Sequence, residues 1–382
     1  MKKICGVFAV MALFLTMVVS VAAAQSDEQM QNEKVKIYFD DALRMSFEDM
    51  LALQDLDVRL RDLRMKHTDM QHELRSLERN QDNEIRRYIQ EIYRQIENLQ
   101  LQQAIIRLSR ENTIRGMVAA ISGLNAAVEL HEMRIGLAET NLYRMRVSYS
   151  LGVISSHEMR TIERGVIDEY TRLNDLRERK ESAIQNLNLL IGQPFDQHTV
   201  IVYERYVPEI PEDLDDHIRS KVLQAPSIRQ AQNAVESARA ERRAYTNNDR
   251  DIRITENERR RAMQAANSYA AVMEIRNRIS LQEAVEQAET TREQAIRSMD
   301  FALRQAYIEL EALLTALETA YREHALAESN LDVSRINLSV GRITRFDVSQ
   351  AELTVANARQ SIESIYYDLW ILGFRLKNPE VL

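Results

Sequence analysis

From Leu313 onward, apolar and small residues recur in alternating steps of four and three: Leu313, Leu317, Ala320, His324, Ala327, Leu331, Ser334 and Leu338. Such spacing keeps one stripe of a helix turned toward a partner, so the stretch predicts a long helix with a coiled-coil seam. A second arm carries its own seam through Val348, Ala351, Val355, Ala358, Ile362, Ile365, Leu369, Leu372 and Leu376. Stepping back by 189 positions (341 minus 152) gives Leu124, Val128, His131, Ile135, Ala138, Leu142, Met145 and Tyr149 for the first arm. For the returning arm it gives Met159, Ile162, Val166, Glu169, Leu173, Leu176, Lys180, Ala183 and Leu187, where only Glu169 and Lys180 interrupt the apolar run. The same pair of seams is therefore present twice, and the chain reads as a tandem duplication.

Between outgoing and returning arm, each copy carries a short matched motif. Arg335 to Asp347 slides onto Arg146 to Glu158 with Arg on Arg, Gly341 on Gly152, Ile343 on Ile154, Thr344 on Ser155 and Asp347 on Glu158. Glycine adopts the left-handed conformation that closes a helix C-terminus. A hydroxyl three residues later caps the next helix, with an acid three further on in the capping-box place. Each copy is thus expected to be an antiparallel helical hairpin whose tip is this motif.

Proline marks the larger divisions. Four of the five prolines fall between Pro194 and Pro226, and the fifth is Pro379. The expected organisation is a leader over 1–24, a first hairpin repeat over 25–193, a linker over 194–226 and a second repeat over 227–382. Within the linker, Thr199 to Tyr203 reads as a short extended piece. An unbroken helix from Ser227 to Val340 would exceed roughly 150 Å at about 1.5 Å per residue. A break is therefore expected at Thr246 to Asp251, whose residues favour caps and turns, with Asn80 to Asn83 as its counterpart.

The leader reads as a secretory signal cleaved after Ala24, with a retained membrane anchor as the alternative: Lys2 and Lys3, an apolar run from about Val7 to Val21, then Ala22 to Ala24 before Gln25. The lone cysteine, Cys5, lies before that run, so neither a disulfide nor a lipid-modified cleavage site fits. Losing Lys2 and Lys3 takes the formal net charge from −8 to −10, with both signs interspersed. An acidic exported chain of that kind is a poor nucleic-acid ligand.

No pattern for catalysis, cofactor or metal binding is present. His67 and His72 are five apart and share no helical face, while His131 and His324 occupy seam positions that suit packing. There is no Cys/His cluster and no phosphate-cradling glycine loop. Tyr366, Tyr367 and Trp370 have two readings, packing against the linker or anchoring an interface or a membrane surface.

The motif Ser339 to Val348, followed by Gln350-Ala351-Glu352-Leu353 and a heptad arm, resembles the repeated hairpin of the TolC-like outer-membrane efflux proteins. Leu187 to Pro194 is similar to the leucine-rich end of that family's first repeat. The resemblance covers nearly the whole chain after the leader. It implies an all-α body of long antiparallel hairpins, a homotrimeric tunnel in the cell envelope, and a periplasmic adaptor and inner-membrane pump as partners. It also implies that the tip residues Gly152, Ser155, Glu158, Gly341, Thr344 and Asp347 face those partners or the tunnel entrance. For Glu158 and Asp347, helix capping is the competing role.

The sequence departs from the family where membrane strands should lie. A closed barrel needs, in each repeat, two strands of about ten residues with alternating faces. Around Asn80 and Asn247 the chain is instead crowded with charge: Ile252 and Ile254 are the only apolar residues from Asp249 to Arg261. The expected protein is a TolC-like helical body without the barrel. Its function is a duct element of an efflux or secretion assembly or, alternatively, a structural or adaptor coiled coil of the envelope that transports nothing.

Overall fold

The computed structural model describes residues 36–48, 50–76, 82–192, 200–203, 205–246 and 269–382. A three-residue strand, β1 (Lys36–Tyr38), leads into α1 (Phe39–Glu48) and α2 (Leu51–Ser76). Then come α3 (Asp82–Ser150), α4 (Ser156–Ile191), β2 (Val200–Val202), α5 (Leu214–Gln224) and α6 (Pro226–Thr246). The chain finishes with α7 (Tyr269–Ser339), α8 (Arg345–Lys377) and a 3₁₀ turn, Pro379–Val381. Each half holds a shorter helix, a very long one, a glycine tip and a returning helix.

With 69 and 71 residues, α3 and α7 each run about 100 Å at 1.5 Å per residue. Neither contains proline, and their surfaces are rich in Ala, Leu, Glu, Arg and Gln, which lose little on entering a helix. Both long helices are needed because each serves two partners in turn. Toward the tips, α3 packs on α4 and α7 on α8; toward the opposite end, α3 packs on α2 and α7 on α6. The halves join where α3 meets α6 and α8. The result is a layer of helices ordered α2–α3–α6–α7 at one end and α4–α3–α8–α7 at the tip end.

The seams face inward as their spacing requires. Leu317, Ala320, Ala327 and Leu331 on α7 are buried, as are Val348, Ile362, Leu369, Leu372 and Leu376 on α8. In the first half, Ile135, Met159, Val166, Leu173 and Leu187 are buried. The seam runs further back than Leu313: Leu303, Ala306 and Leu310 on α7 continue its steps of three and four and pack with Ile218 and Val222 of α5. Full burial of side chains this size stabilises by about 1.5–3 kcal/mol each.

Where α3 meets α6 the packing is polar. Asn233, 7% exposed, donates to Glu97 and Asn98; Gln230 donates to the Asn98 carbonyl, and Ser237 to Glu91. These bonds hold α6 at one height against α3, because a slip of one turn would leave buried polar groups unpaired.

The extended piece expected at Thr199 to Tyr203 is β2, paired in parallel with β1, Ile37 opposite Ile201; Thr199 itself lies outside the described residues. Beside it sits an aromatic cluster in which α8 meets the start of the first half and the linker. Trp370 is edge-on to Phe39 with ring centroids 4.9 Å apart, and Tyr203 lies 4.6 Å from Tyr367 and 4.8 Å from Trp370. Arg115, paired with Glu111 at 2.7 Å, places its guanidinium 4.4–4.6 Å from Phe39, Trp370 and Phe374. The aromatics near the C-terminus therefore pack against the linker. Gly373 allows the linker to come close: a Cβ there would stand 2.8 Å from Pro208 Cγ.

Only five residues separate Ser76, the end of α2, from Asp82, the start of α3. Two membrane-crossing strands need about twenty, so none fit there. The expected polar break at Asn80 and Gln81 lies outside the described residues, but Asp82 and Asn83 already belong to α3. Of the second expected break, Thr246 is still the last residue of α6, and Asn247 to Asp251 lie outside the described residues, as does the leader.

Candidate functional site at the glycine tips

Gly152 and Gly341 have φ of 72° and 73°. At each, the helix closes in the same way. Gly152 N–H donates to the Tyr149 carbonyl at 3.0 Å and Val153 N–H to Ser148 at 2.9 Å; Gly341 donates to Leu338 at 3.0 Å and Arg342 to Asn337 at 2.9 Å. These paired bonds define a Schellman motif and need a left-handed residue at the glycine. A Cβ at either glycine would meet open space, so the requirement comes from the backbone alone.

The caps follow, with one difference between copies. Ser155 N–H donates to Glu158 Oε2 at 2.7 Å, and Glu158 N–H returns a bond to Ser155 Oγ at 3.2 Å, a complete capping box. At the second tip the shorter Asp347 carboxylate takes both donors of Thr344, the N–H at 2.8 Å and the hydroxyl at 2.7 Å. The Ser155 backbone N–H holds the Glu158 carboxyl below the usual range, and the Thr344 hydroxyl does the same for Asp347. Both carboxylates thus cap helices, and both remain solvent-exposed.

The two tips stand at the same end of the molecule. Arg144, near the end of α3, places its guanidinium 5.1 Å from the Phe346 ring at the start of α8, and Arg134 donates to Asn357 at 3.4 Å. The tips also expose aliphatic side chains at equivalent positions: Val147 and Leu151 in the first, Ile336 and Val340 in the second, between 45% and 74% exposed. They belong to neither seam. Their signal was their spacing of four on the face opposite the seam.

Elsewhere the histidines do structural work. His131 Nδ1 lies 3.2 Å from Glu169 Oε2 across the first hairpin, and His324 Nδ1 lies 3.6 Å from Glu328 one turn along α7. Among the described residues no group of three or more His, Cys, Asp or Glu side chains is placed to hold a metal. Nor is any described helix long and apolar enough to cross a membrane.

No protein-family model matches the sequence, and no curated protein matches it in sequence either. Solved structures do match the fold. CusC, from crystal structures concerned with folding and transmembrane channel formation, aligns over 92% of this chain and 94% of its own, with a TM-score of 0.64 and 12% identity. The Campylobacter jejuni CmeC outer membrane channel aligns over 90% and 85%, at 0.63 and 8%. The Vibrio cholerae outer membrane protein VceC aligns over 90% and 96%, at 0.60 and 12%. The chain therefore has the TolC-like helical-hairpin fold over nearly its full length, and between Ser76 and Asp82 it lacks room for the membrane strands of a channel.

Proposed function

We propose that this chain is an exported, homo-oligomeric element of an efflux or secretion duct in the cell envelope, whose glycine tips dock an adaptor protein. The observation that carries the reading is the twin tip: two equivalent hairpin ends side by side, each exposing an aliphatic pair beside a rigid, capped turn. A turn held by a positive-φ glycine and a capping carboxylate is a preorganised surface, which lowers the cost of binding. The solved structures with this fold are named for transmembrane channel formation, as an outer membrane channel and as an outer membrane protein, which supports an outer-membrane-associated location and a non-enzymatic role. Helices of about 100 Å are long enough to build a conduit, and the layer has two open edges through which copies can join.

A second reading is supported by the five-residue connection between α2 and α3. Without membrane strands from that half, the body serves as a structural or adaptor coiled coil of the envelope and carries no solute. Deleting the gene and measuring export of dyes and detergents separates the two. The duct reading expects accumulation, rescued by the native chain and not by the Leu151→Asp/Val340→Asp variant. Unchanged export with altered envelope shape favours the second reading.

A further inference from the structure

Where α3, the linker and α8 come together, a half-open cavity of about 480 Å³ lies beside the start of α1. Trp370, Phe374 and Lys377 line it from one stripe of α8, Tyr203 and Tyr206 from the linker, and Arg115 from α3. Small-molecule sites enclose roughly 300–1,000 Å³ behind aromatic and apolar walls, with a few polar groups that fix orientation. This cavity has that size and that make-up.

Its two cations have binding capacity to spare. Arg115, its side chain 14% exposed, gives Nε and Nη2 to Glu111 Oε1 at 3.2 and 2.7 Å. Nη1 has no hydrogen-bond partner among the described residues. The guanidinium packs among the rings of Phe39, Trp370 and Phe374, so water has little access to it. Lys377 Nζ stands 4.0 Å from the centre of the Tyr206 ring and makes no ion pair among the described residues. An acid group that reaches a poorly hydrated cation gains more than it would at an exposed one. Asp40, at the start of α1, is the one carboxylate lining the cavity. A second acid group on the bound molecule would meet it as a like charge.

We propose that this cavity is a binding site for a small amphipathic monoanion, a carboxylate carried on an aromatic body. The acid group takes Arg115 Nη1 and Lys377 Nζ, the ring lies against the aromatic wall of α8, and Asp40 limits the charge to one. Every residue named comes from a single chain, so the site holds equally for the duct and for the coiled-coil reading. Its occupant ties together the linker, α3 and α8, segments far apart in sequence, and so raises the melting temperature of the whole chain.

Trp370 is the only tryptophan, and a bromine atom in contact with an indole quenches its emission. In the full chain, 4-(4-bromophenyl)butanoate is expected to quench Trp370 saturably, about tenfold more tightly than the neutral 4-(4-bromophenyl)butanamide, because a hydrogen bond to a charged group is at stake. Lys377→Met, checked for native circular dichroism, should weaken the acid by about tenfold and leave the amide unchanged. Asp40→Asn should admit the dianion (4-bromobenzyl)malonate, which the native chain excludes. Equal affinity of the native chain for acid and amide overturns the site, and this comparison needs no variant. Undiminished binding of the acid to Lys377→Met overturns it too. So does calorimetric binding of the acid without quenching of Trp370, which would place the acid elsewhere on the molecule.

Discussion

His131 and Glu169 meet across the first hairpin, imidazole Nδ1 to carboxylate Oε2 at 3.2 Å, each less than a quarter exposed. At the equivalent positions of the second hairpin stand Ala320 and Ala358. The interruption of the first seam is thus a polar cross-tie, and Arg172 adds a second bond to Glu169 at 3.2 Å. Glu169→Ala should destabilise by about 1 kcal/mol, because a half-buried imidazole loses its partner. Replacing both by leucine should recover most of that loss. Urea unfolding of Glu169→Ala and of the His131→Leu/Glu169→Leu variant, each against the native chain, checks it.

The tip glycines and the helix glycines should respond in opposite directions. Gly152→Val or Gly341→Val forces a β-branched residue to positive φ and should cost about 1–2 kcal/mol. Gly136→Ala lies inside α3 with open space around its Cβ and should stabilise by about 0.5–1 kcal/mol. Thermal melts of the three variants decide it.

The capping carboxylates give the tips an acid dependence of defined sign. Glu158 and Asp347 both titrate below their ordinary values of 4.5 and 3.8 in the folded chain. A depressed folded value means that the folded state holds its proton less tightly. The stabilisation is then complete above the ordinary values and is lost as pH falls through and below them. Removing the carboxylates in Glu158→Gln/Asp347→Asn should flatten that part of the melting-temperature profile and leave the neutral-pH fold intact.

Trp370, the only tryptophan, reports on the linker. Gly373→Ala would push a methyl against Pro208 and Tyr206, at 2.8 and 3.2 Å. Overpacking of this kind costs about 1–3 kcal/mol. The expected signature is a red-shifted Trp370 emission before any loss of helical circular dichroism.

What could be read from the sequence followed from local chemistry. The tips were legible because Gly152 and Gly341 are each followed by a hydroxyl and an acid at fixed spacing, and the seams because helical period leaves a stripe. The change of partner along α7 was not, since Leu303 and Leu310 continue the same stripe in steps of three and four and a stripe does not say which helix covers it. Helix α5 was hidden inside the proline-bracketed stretch. Pro226 is the first residue of α6, where its missing N–H costs nothing, and Asp213 caps α5 through the Asp216 N–H at 3.0 Å. The pairing of β1 with β2 joins three-residue strands far apart in the chain, too short to show alternation.

The equivalence of the two tips is tested most directly by pulsed electron spin resonance between labels at Val153→Cys and Arg342→Cys in a Cys5→Ser chain. Arg144 and Phe346 are in contact, and each tip lies only a few residues beyond them. A distance distribution centred within about 30 Å is therefore predicted at 1.5 Å per residue. Labels separated by the length of α7, about 100 Å, would contradict the account.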